Sequence, residues 1–318
     1  MLEVFFCNVG DGDAVLLRER SVGAKDYVVL ADAGRPFVEP AQGSYRKEAI
    51  YFLKARGVEH IDRMVLTHLH IDPIGGAQRI LQAIPTDTLS ALYVPPKDAG
   101  WITPSFTSVD KTENGLKHLL NIFRDVTETA AKTGCRVETA REETIRLTER
   151  LSVSVLLPKP AIAERQKRVF DALYRNEPVD ADEAYKAAKQ RNLSSLMLLF
   201  TYAGRRVLIT GDRYAADWED LPIGPVDVLK LPHHGDPKSM TDPLLSKLSP
   251  KIAVISCQSD PRGGKDRPNA EIVAALQTSV PMLYCTENRA LKTLAPSTHN
   301  GICVTIEEDG AIACRTEP

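Results

Sequence analysis

One stretch of the chain limits its fold more than any other: an apolar strand that runs directly into a histidine-rich loop. The strand is predicted over residues 61–67 (IDRMVLT), after a predicted strand over residues 27–31 and a predicted amphipathic helix over residues 44–56. Strand, helix and strand in this order predict an α/β fold. In such folds the loops at strand ends carry side chains out of a rigid sheet, so we expect ligand-handling residues there.

The loop after this strand contains two histidines and an aspartate at alternate positions, His68, His70 and Asp72, ahead of a Gly-Gly pair. With seven histidines in 318 residues, chance gives about 0.15 pairs at that spacing. Two imidazoles and a carboxylate on one short loop can converge on a divalent metal such as zinc or manganese. The alternative interpretation, turn residues that bond only to the backbone, leaves two histidines with little packing value.

Two further predicted strands end in residues of the same chemistry. The strand over residues 207–210 stops at Gly211-Asp212, and the strand over residues 226–231 stops before His233-His234-Gly235. A Gly-Asp pair alone is typical of a turn, and either histidine fits a supporting role as a donor behind the metal. Taken together, however, three strand ends with His/Asp, Asp and His/His residues predict one metal site.

The middle of the chain, roughly residues 97–190, differs in composition from the rest. Residues 115–132 and 161–190 are rich in Ala, Glu, Lys and Arg with helical spacing, and residues 151–158 alternate like a strand. Neither an internal repeat nor a low-complexity linker interrupts the chain. We therefore predict a single domain over residues 1–318, with a helical elaboration at 97–190 that serves as a lid or as a surface for a protein partner.

Charge and cysteine content narrow the class of protein. The chain has 40 Lys and Arg against 42 Asp and Glu, a net charge of −2, which argues against a basic coat for nucleic acid but allows a local basic patch. No apolar run approaches the roughly 20 residues of a membrane helix, and the N-terminus lacks the basic region of a signal peptide. The six cysteines are dispersed without C-x-x-C pairs, which predicts reduced thiols and a cytoplasmic location.

Five motifs together resemble the metallo-β-lactamase superfamily and, within it, the ComEC-like hydrolase branch. They are FCNVGDGDA at residues 6–14, the Asp32-Ala33-Gly34 loop, the HLHID loop at residues 68–72, NLSSL at residues 192–196 with Asp212 further on, and His233-His234-Gly235. The resemblance covers most of the chain. It implies an α/β fold of the αββα sandwich type with a helical insertion in the middle, a metal centre at the edge of the sandwich, and hydrolysis of phosphodiester or related bonds.

The resemblance also implies a role for each of these side chains. The implied metal ligands are His68, His70, Asp72, Asp212, His233 and His234. A first metal position uses the two loop histidines and Asp212, with Asn192 as a weak neutral donor. A second position uses Asp72, Asp212 and one of the paired histidines, and the sequence leaves open which one. The implied catalytic residues are Asp72, Asp212 and His234, and the site-adjacent ones are Asp32, Asn192, Lys230 and Arg267.

Asn8 and Asp11 replace Asp and Gln of the family's opening motif, and two later positions lose a histidine. Pro73 stands where the HxHxDH motif ends in histidine, and Arg267, ahead of Pro268, stands where the branch has a His-Pro pair. Proline has no ligating atom, so we expect the second metal position to be weaker than the first. Both one and two bound ions are consistent with these residues. A catalytically impaired metal-binding or interaction module of the same fold is the alternative to an enzyme.

The favoured function is that of a metal-dependent hydrolase, a phosphodiesterase or nuclease in which a metal-bound hydroxide attacks DNA or RNA. A hydrolase of small esters or lactones is a variant that the superfamily also contains. A cationic rim suits a phosphate-bearing substrate, and we expect one on the loops near the motifs, from Lys230, Lys238, Arg262, Lys265 and Arg267. Solvated loop charges are the simpler interpretation of the same residues.

Overall fold

Two β-sheets dominate the computed structural model, which describes residues 1–21, 23–103, 111–260, 266–291 and 294–317. In these residues the first sheet has the strand order β15-β14-β1-β2-β3-β4-β5-β6 and the second the order β13-β12-β11-β10-β9-β8-β7. The strands of the first sheet are β1 Leu2–Cys7, β2 Val15–Glu19, β3 Tyr27–Ala31, β4 Ile61–Leu66, β5 Thr86–Ala91, β6 Arg136–Thr139, β14 Gly301–Ile306 and β15 Ile312–Glu317. Those of the second are β7 Glu143–Arg146, β8 Leu151–Leu156, β9 Met197–Tyr202, β10 Arg205–Ile209, β11 Val228–Lys230, β12 Ile252–Ile255 and β13 Met282–Cys285.

Alternation along the strands explains why the sheets are covered on both faces. In β1, Leu2, Val4 and Phe6 pack into the core between the two sheets, whereas Phe5 and Cys7 face the helices on the other side. All six residues of β1 are buried, as expected for a strand with apolar layers above and below it. The result is four layers, helices, sheet, sheet and helices, which confirms the predicted αββα sandwich.

The helices divide unequally between the two outer faces. Those that contribute to the core on the first sheet are α1 Ala49–Ala55, α3 Ala77–Ala83, α4 Lys111–Lys132, α5 Pro160–Tyr174 and α6 Ala181–Lys189. The second sheet is covered by α7 Asp242–Leu248 and α8 Ala270–Ser279. A single turn of helix, α2 Ile71–Ile74, lies in the histidine-rich loop.

The boundaries of several elements differ from the sequence expectation. The helix predicted over residues 44–56 is confined to α1, because the Lys47 amide donates to the Asn8 carbonyl (3.0 Å) and Glu48 is extended. The stretch 97–190 contains α4, α5 and α6, but it also contains β6, β7 and β8, which extend both sheets. This part of the chain is therefore built into the layers of the sandwich.

Two further observations concern the helices and the cysteines. None of the helices in the described ranges is both long and apolar enough to cross a bilayer. The six cysteines are free thiols, and all except Cys314 are buried.

Candidate metal centre

The carboxyl ends of four strands meet at one edge of the sandwich. In the first sheet β3 and β4 run parallel and are followed by Asp32 and by Thr67-His68. In the second sheet β10 and β11 run parallel and are followed by Asp212 and by the paired histidines. Because parallel strands present their carboxyl ends at the same edge, residues far apart in the chain lie side by side here, as the sequence predicted.

The turn that carries the paired histidines has an unusual backbone. His233, His234 and Gly235 have φ values of 51°, 58° and 75°, so three consecutive residues are left-handed. Non-glycine residues adopt this conformation at a cost of about 1–3 kcal/mol each, and they keep it where the surrounding structure holds them. Gly235 is required for a second reason, since a Cβ there would lie 2.9 Å from Cβ of Pro268. The surrounding structure therefore holds this strained turn, and with it both imidazoles, at the sheet edge.

One group of side chains that can hold a metal consists of His68, His70 and Asp212, whose candidate ligand atoms all lie within 4.8 Å of one another. Nε2 of His68 lies 3.5 Å from Oδ2 of Asp212. The Thr67 hydroxyl donates to Asp32 (2.8 Å), so the bond between that hydroxyl and Nδ1 of His68 (2.9 Å) must have the imidazole as its donor. Nε2 is therefore the ring atom that faces the site, and Asp32 acts through Thr67 to orient the ring. The Asp212 carboxylate outweighs burial and raises the pKa of His68, so a metal that binds Nε2 competes with a proton there.

A second group consists of Asp13, Asp212 and His234, by the same 4.8 Å criterion. Nδ1 of His234 lies 2.9 Å from the Ser256 carbonyl, which only accepts, so Nδ1 is the donor and Nε2 is the atom left for a metal. Asp13 lies in the FCNVGDGDA motif but was not among the site residues predicted from the sequence. The indication was present: the carboxylate lies in a Gly-rich turn directly after the first strand.

The donor atoms of the two groups fit a divalent metal. Four of the atoms around this edge are buried and have no hydrogen-bond partner in the described chain: Nε2 of His68, Oδ1 of Asp13, Oδ1 of Asn192 and Oδ1 of Asp212. Leaving buried polar atoms unpaired costs about 1–3 kcal/mol each, and more for charged groups, unless a ligand satisfies them. Imidazole nitrogens with carboxylate and amide oxygens suit zinc or manganese.

The remaining predicted ligands are held differently. Oδ2 of Asp72 lies 3.4 Å from Nε2 of His234. Nε2 of His233 lies 3.0 Å from the Asn192 amide nitrogen, and Nδ1 of His233 lies 3.4 Å from a guanidinium nitrogen of Arg267. Neither Asp72 nor His233 joins a candidate ligand group in the described chain. The geometry thus favours His234 over His233 as the ligand, and the assigned roles of all these residues stay predictions.

Burial and neighbouring charges divide the histidines into two protonation classes. Burial lowers the pKa of His70 well below its usual value and that of His233 to about 4. Burial has the same tendency at His234, but the carboxylates of Asp13 and Asp212 and the contact with Asp72 outweigh it and raise that pKa to about 10. At neutral pH His234 is therefore protonated in the metal-free chain, and a metal that binds Nε2 must displace a proton.

The donor groups open onto a cleft of about 430 Å³. His70, Asp72, Asp212 and both paired histidines line it, so the metal ligands would face solvent and substrate. Its other charged lining includes four cations, Arg35, Lys189, Arg191 and Arg267. Of these four cations, only Arg267 was predicted from the sequence to lie near the site.

The predicted cationic rim needs correction. Lys230 is not on a loop: it ends β11, is fully buried, and forms an ion pair with Asp13 beneath the site. Lys238 is exposed, outside the lining of the cleft, and stacks near the ring of Tyr214. Arg262 and Lys265 lie outside the described residues. Arg267 does line the cleft, with its guanidinium bonded to Asp236 (3.0 and 3.1 Å).

Comparison with known proteins identifies the family. Residues 7–259 match the sequence family described as the metallo-beta-lactamase superfamily. The chain belongs to this superfamily. ComE operon protein 3 of Bacillus subtilis (strain 168) is 26% identical over 304 residues, which are 91% of this chain and 32% of that protein. The resemblance inferred from the motifs is thereby confirmed, and the chain spans about a third of the length of this relative.

Solved structures of similar fold have low sequence identity to the chain. The metallo-beta-lactamase fold protein YhfI from Bacillus subtilis is 10% identical, with a TM-score of 0.45 over 90% of this chain and 96% of its own. Zn²⁺-bound PqqB from Methylobacterium extorquens is 11% identical, with a TM-score of 0.45 over 94% and 99%. A diphosphatase from the PhnP family is 13% identical, with a TM-score of 0.43 over 99% and 100%.

Proposed function

We propose that the chain is a metal-dependent phosphodiesterase that cleaves DNA or RNA. The observation that carries this proposal is the composition of one cleft: its lining includes Asn192 and Asp212, each with a buried oxygen that has no hydrogen-bond partner in the described chain, together with four Lys and Arg side chains. A neutral ester or lactone has no charge that could pair with these Lys and Arg side chains, whereas a phosphodiester carries a negative charge that they can bind. Membership of the superfamily supports metal-dependent hydrolysis as the type of reaction.

The site residues have distinct tasks in such a reaction. His68, His70 and Asp212 would hold a divalent ion. Such an ion would act as a Lewis acid and would lower the pKa of a water molecule bound to it. Asp72 borders the cleft and accepts a proton from the attacking water. His234, in contact with Asp72 (3.4 Å), either binds an ion at the second position or gives its own proton to the leaving oxygen and takes up the proton that Asp72 accepted. Asn192 holds the neutral ring of His233 by a 3.0 Å contact.

A metal-binding module without hydrolytic activity is the second candidate. Pro73 is the observation that favours it, because this buried residue adds no ligand where the family has histidine.

The proposal also includes a single domain, a cytoplasmic location, and the stretch 97–190 as a lid or as a surface for a protein partner.

Activity of the reconstituted chain separates these candidates. Purified protein is stripped of metal, loaded with Zn²⁺ or Mn²⁺, and assayed on a chromogenic phosphodiester, single-stranded DNA, RNA, a neutral ester and a lactone. Asp212→Asn should lower phosphodiester cleavage more than about 100-fold, and Asp309→Asn, at an exposed turn, should not change it. Cleavage that survives Asp212→Asn refutes the assigned site. Stoichiometric metal without cleavage favours the non-hydrolytic module, and preference for the neutral substrates refutes the phosphodiesterase.

A further inference from the structure

We propose that Lys189 and Arg191, at the end of α6, form a subsite for a phosphate group of the substrate. The inference rests on the proposed function in taking a phosphodiester as the substrate, and it assigns the contact to particular side chains. Both residues line the cleft that holds the candidate metal ligands. The next residue along, Asn192, contacts His233, so the end of α6 is fixed beside the metal centre.

Ion pairing divides the four cations of the cleft into two classes. Arg35 is paired with Asp11 (3.5 Å), and Arg267 is paired with Asp236 (3.0 Å). Within the described residues, by contrast, neither Lys189 nor Arg191 has a carboxylate within 4.0 Å, although Lys186 on the same helix pairs with Glu183. A cation already paired with a carboxylate gains less from an incoming anion, so the two unpaired cations are the ones available to substrate.

Arg191 is held in place for this contact. Its Nε donates to the Ala188 carbonyl (2.7 Å), which fixes the plane of the guanidinium against the helix end. Nη1 is buried and has no hydrogen-bond partner in the described chain, an arrangement that is costly for a charged donor unless a ligand supplies an acceptor.

A structural role explains only part of this arrangement. A basic residue in the last turn of a helix stabilises the negative end of the dipole, and the Nε contact with Ala188 is such an interaction. This contact with the helix end does not involve Nη1 of Arg191, and it would not require Arg191 to line the cleft. A planar guanidinium with one nitrogen fixed and another unpaired is suited to a phosphate oxygen, which an ammonium group matches less well.

Lys189 extends the subsite towards solvent. Its Nζ lies 5.3 Å from the ring centroid of Tyr185, and the Tyr185 side chain is exposed, so an aromatic face adjoins a cation of the cleft, although Tyr185 itself is outside the lining. Phosphate next to an aromatic face matches a nucleotide unit, whose base stacks while its backbone pairs with the cation.

The test measures binding and does not depend on catalysis. Inorganic phosphate and a hexathymidylate are titrated calorimetrically into the full chain after chelation, and phosphate is titrated again into the Zn²⁺-loaded chain. Arg191→Met should weaken binding about 10- to 100-fold, Arg191→Lys by less, and Lys189→Met about two- to fivefold. Lys186→Met, an exposed lysine one turn earlier that is outside the cleft lining, is the matched control and should bind like the wild type.

The two probes distinguish the sources of the phosphate. Loss of affinity for both supports contact with an internal phosphodiester, and loss for inorganic phosphate alone supports contact with a free or terminal phosphate. If Arg191→Met fails to fold, Arg191→Lys and Lys189→Met carry the test. Wild-type affinity in the folded Arg191 and Lys189 variants overturns the subsite. Arg191-dependent binding by a chain that never cleaves a phosphodiester overturns only the hydrolase proposal.

Discussion

The buried ion pair between Lys230 and Asp13 links the two sheets, and removing its cation should destabilise the whole fold. Both side chains are buried, with exposures of 0% and 3%. Lys230 belongs to β11 in the second sheet, and Asp13 to the turn that follows β1 in the first. Lys230→Met leaves the Asp13 carboxylate buried near Asp212 and Asp32, where the protonated His234, with Nδ1 4.0 Å from Oδ1 of Asp13, compensates the lost ammonium only in part.

The size of the effect follows from this burial. Removing one partner of a buried ion pair costs about 3–5 kcal/mol, because the other charge is left uncompensated. Unfolding entropy of about 2.1 cal/mol/K per residue gives about 0.67 kcal/mol/K for 318 residues. Lys230→Met should therefore lower Tm by roughly 4–8 °C. Lys251→Met removes a Lys–Asp contact of 2.8 Å in which the lysine is 55% exposed, and it should cost under about 1.5 °C.

Differential scanning calorimetry in the presence of a chelator measures these shifts. The double variant Asp13→Asn/Lys230→Met removes both charges and should recover at least half of the single variant's loss. A Tm for Lys230→Met within 1.5 °C of the wild type, or a double variant as unstable as the sum of the singles, would refute the account. Because Asp13 also belongs to a candidate ligand group, added Zn²⁺ should raise the Tm of Lys230→Met more than that of the wild type.

Two further predictions concern the metal itself. Pro73→His restores an imidazole at the second position, so metal analysis after dialysis should show a rise towards two ions per chain, and an unchanged ratio would contradict the assignment of that position. The pKa of His234, raised to about 10, predicts that a metal bound through Nε2 must displace a proton below that pH. Affinity for the second ion, measured by competition with a chelator above one ion per chain, should then weaken as pH falls from 9 to 7, by up to about tenfold per unit, and a flat profile would exclude His234 as a ligand of that ion.

The parts of the site that follow directly on strands could be predicted from the sequence. Apolar runs that end abruptly in His68, Asp212 and His233 mark the carboxyl ends of buried strands, and parallel pairing brings such ends to one edge. Local pattern was enough here because each run of hydrophobic residues identifies its own strand.

Contacts between distant segments could not be predicted in this way. Asp13 meets Lys230 across 217 positions of sequence, and neither residue's surroundings indicate the other. The prediction that Lys230 lies on a rim loop was wrong, although the strand predicted over residues 226–231 already contained this residue, and both faces of β11 are covered. Arg191 was missed for a similar reason: its position in the cleft depends on how α6 packs against α4 and α5.

Pro73 and the buried Lys230 both weaken the binding of an ion at the second metal position. Pro73 removes a ligand that the family supplies. Lys230 engages Oδ2 of Asp13, so that only Oδ1 stays free for a metal in the group with Asp212 and His234. A buried ammonium beside that group also repels a second cation, an effect that is strong where little water screens it. One ion held by His68, His70 and Asp212 is therefore the state that the charges favour, with Lys230 providing part of the positive charge of the missing ion.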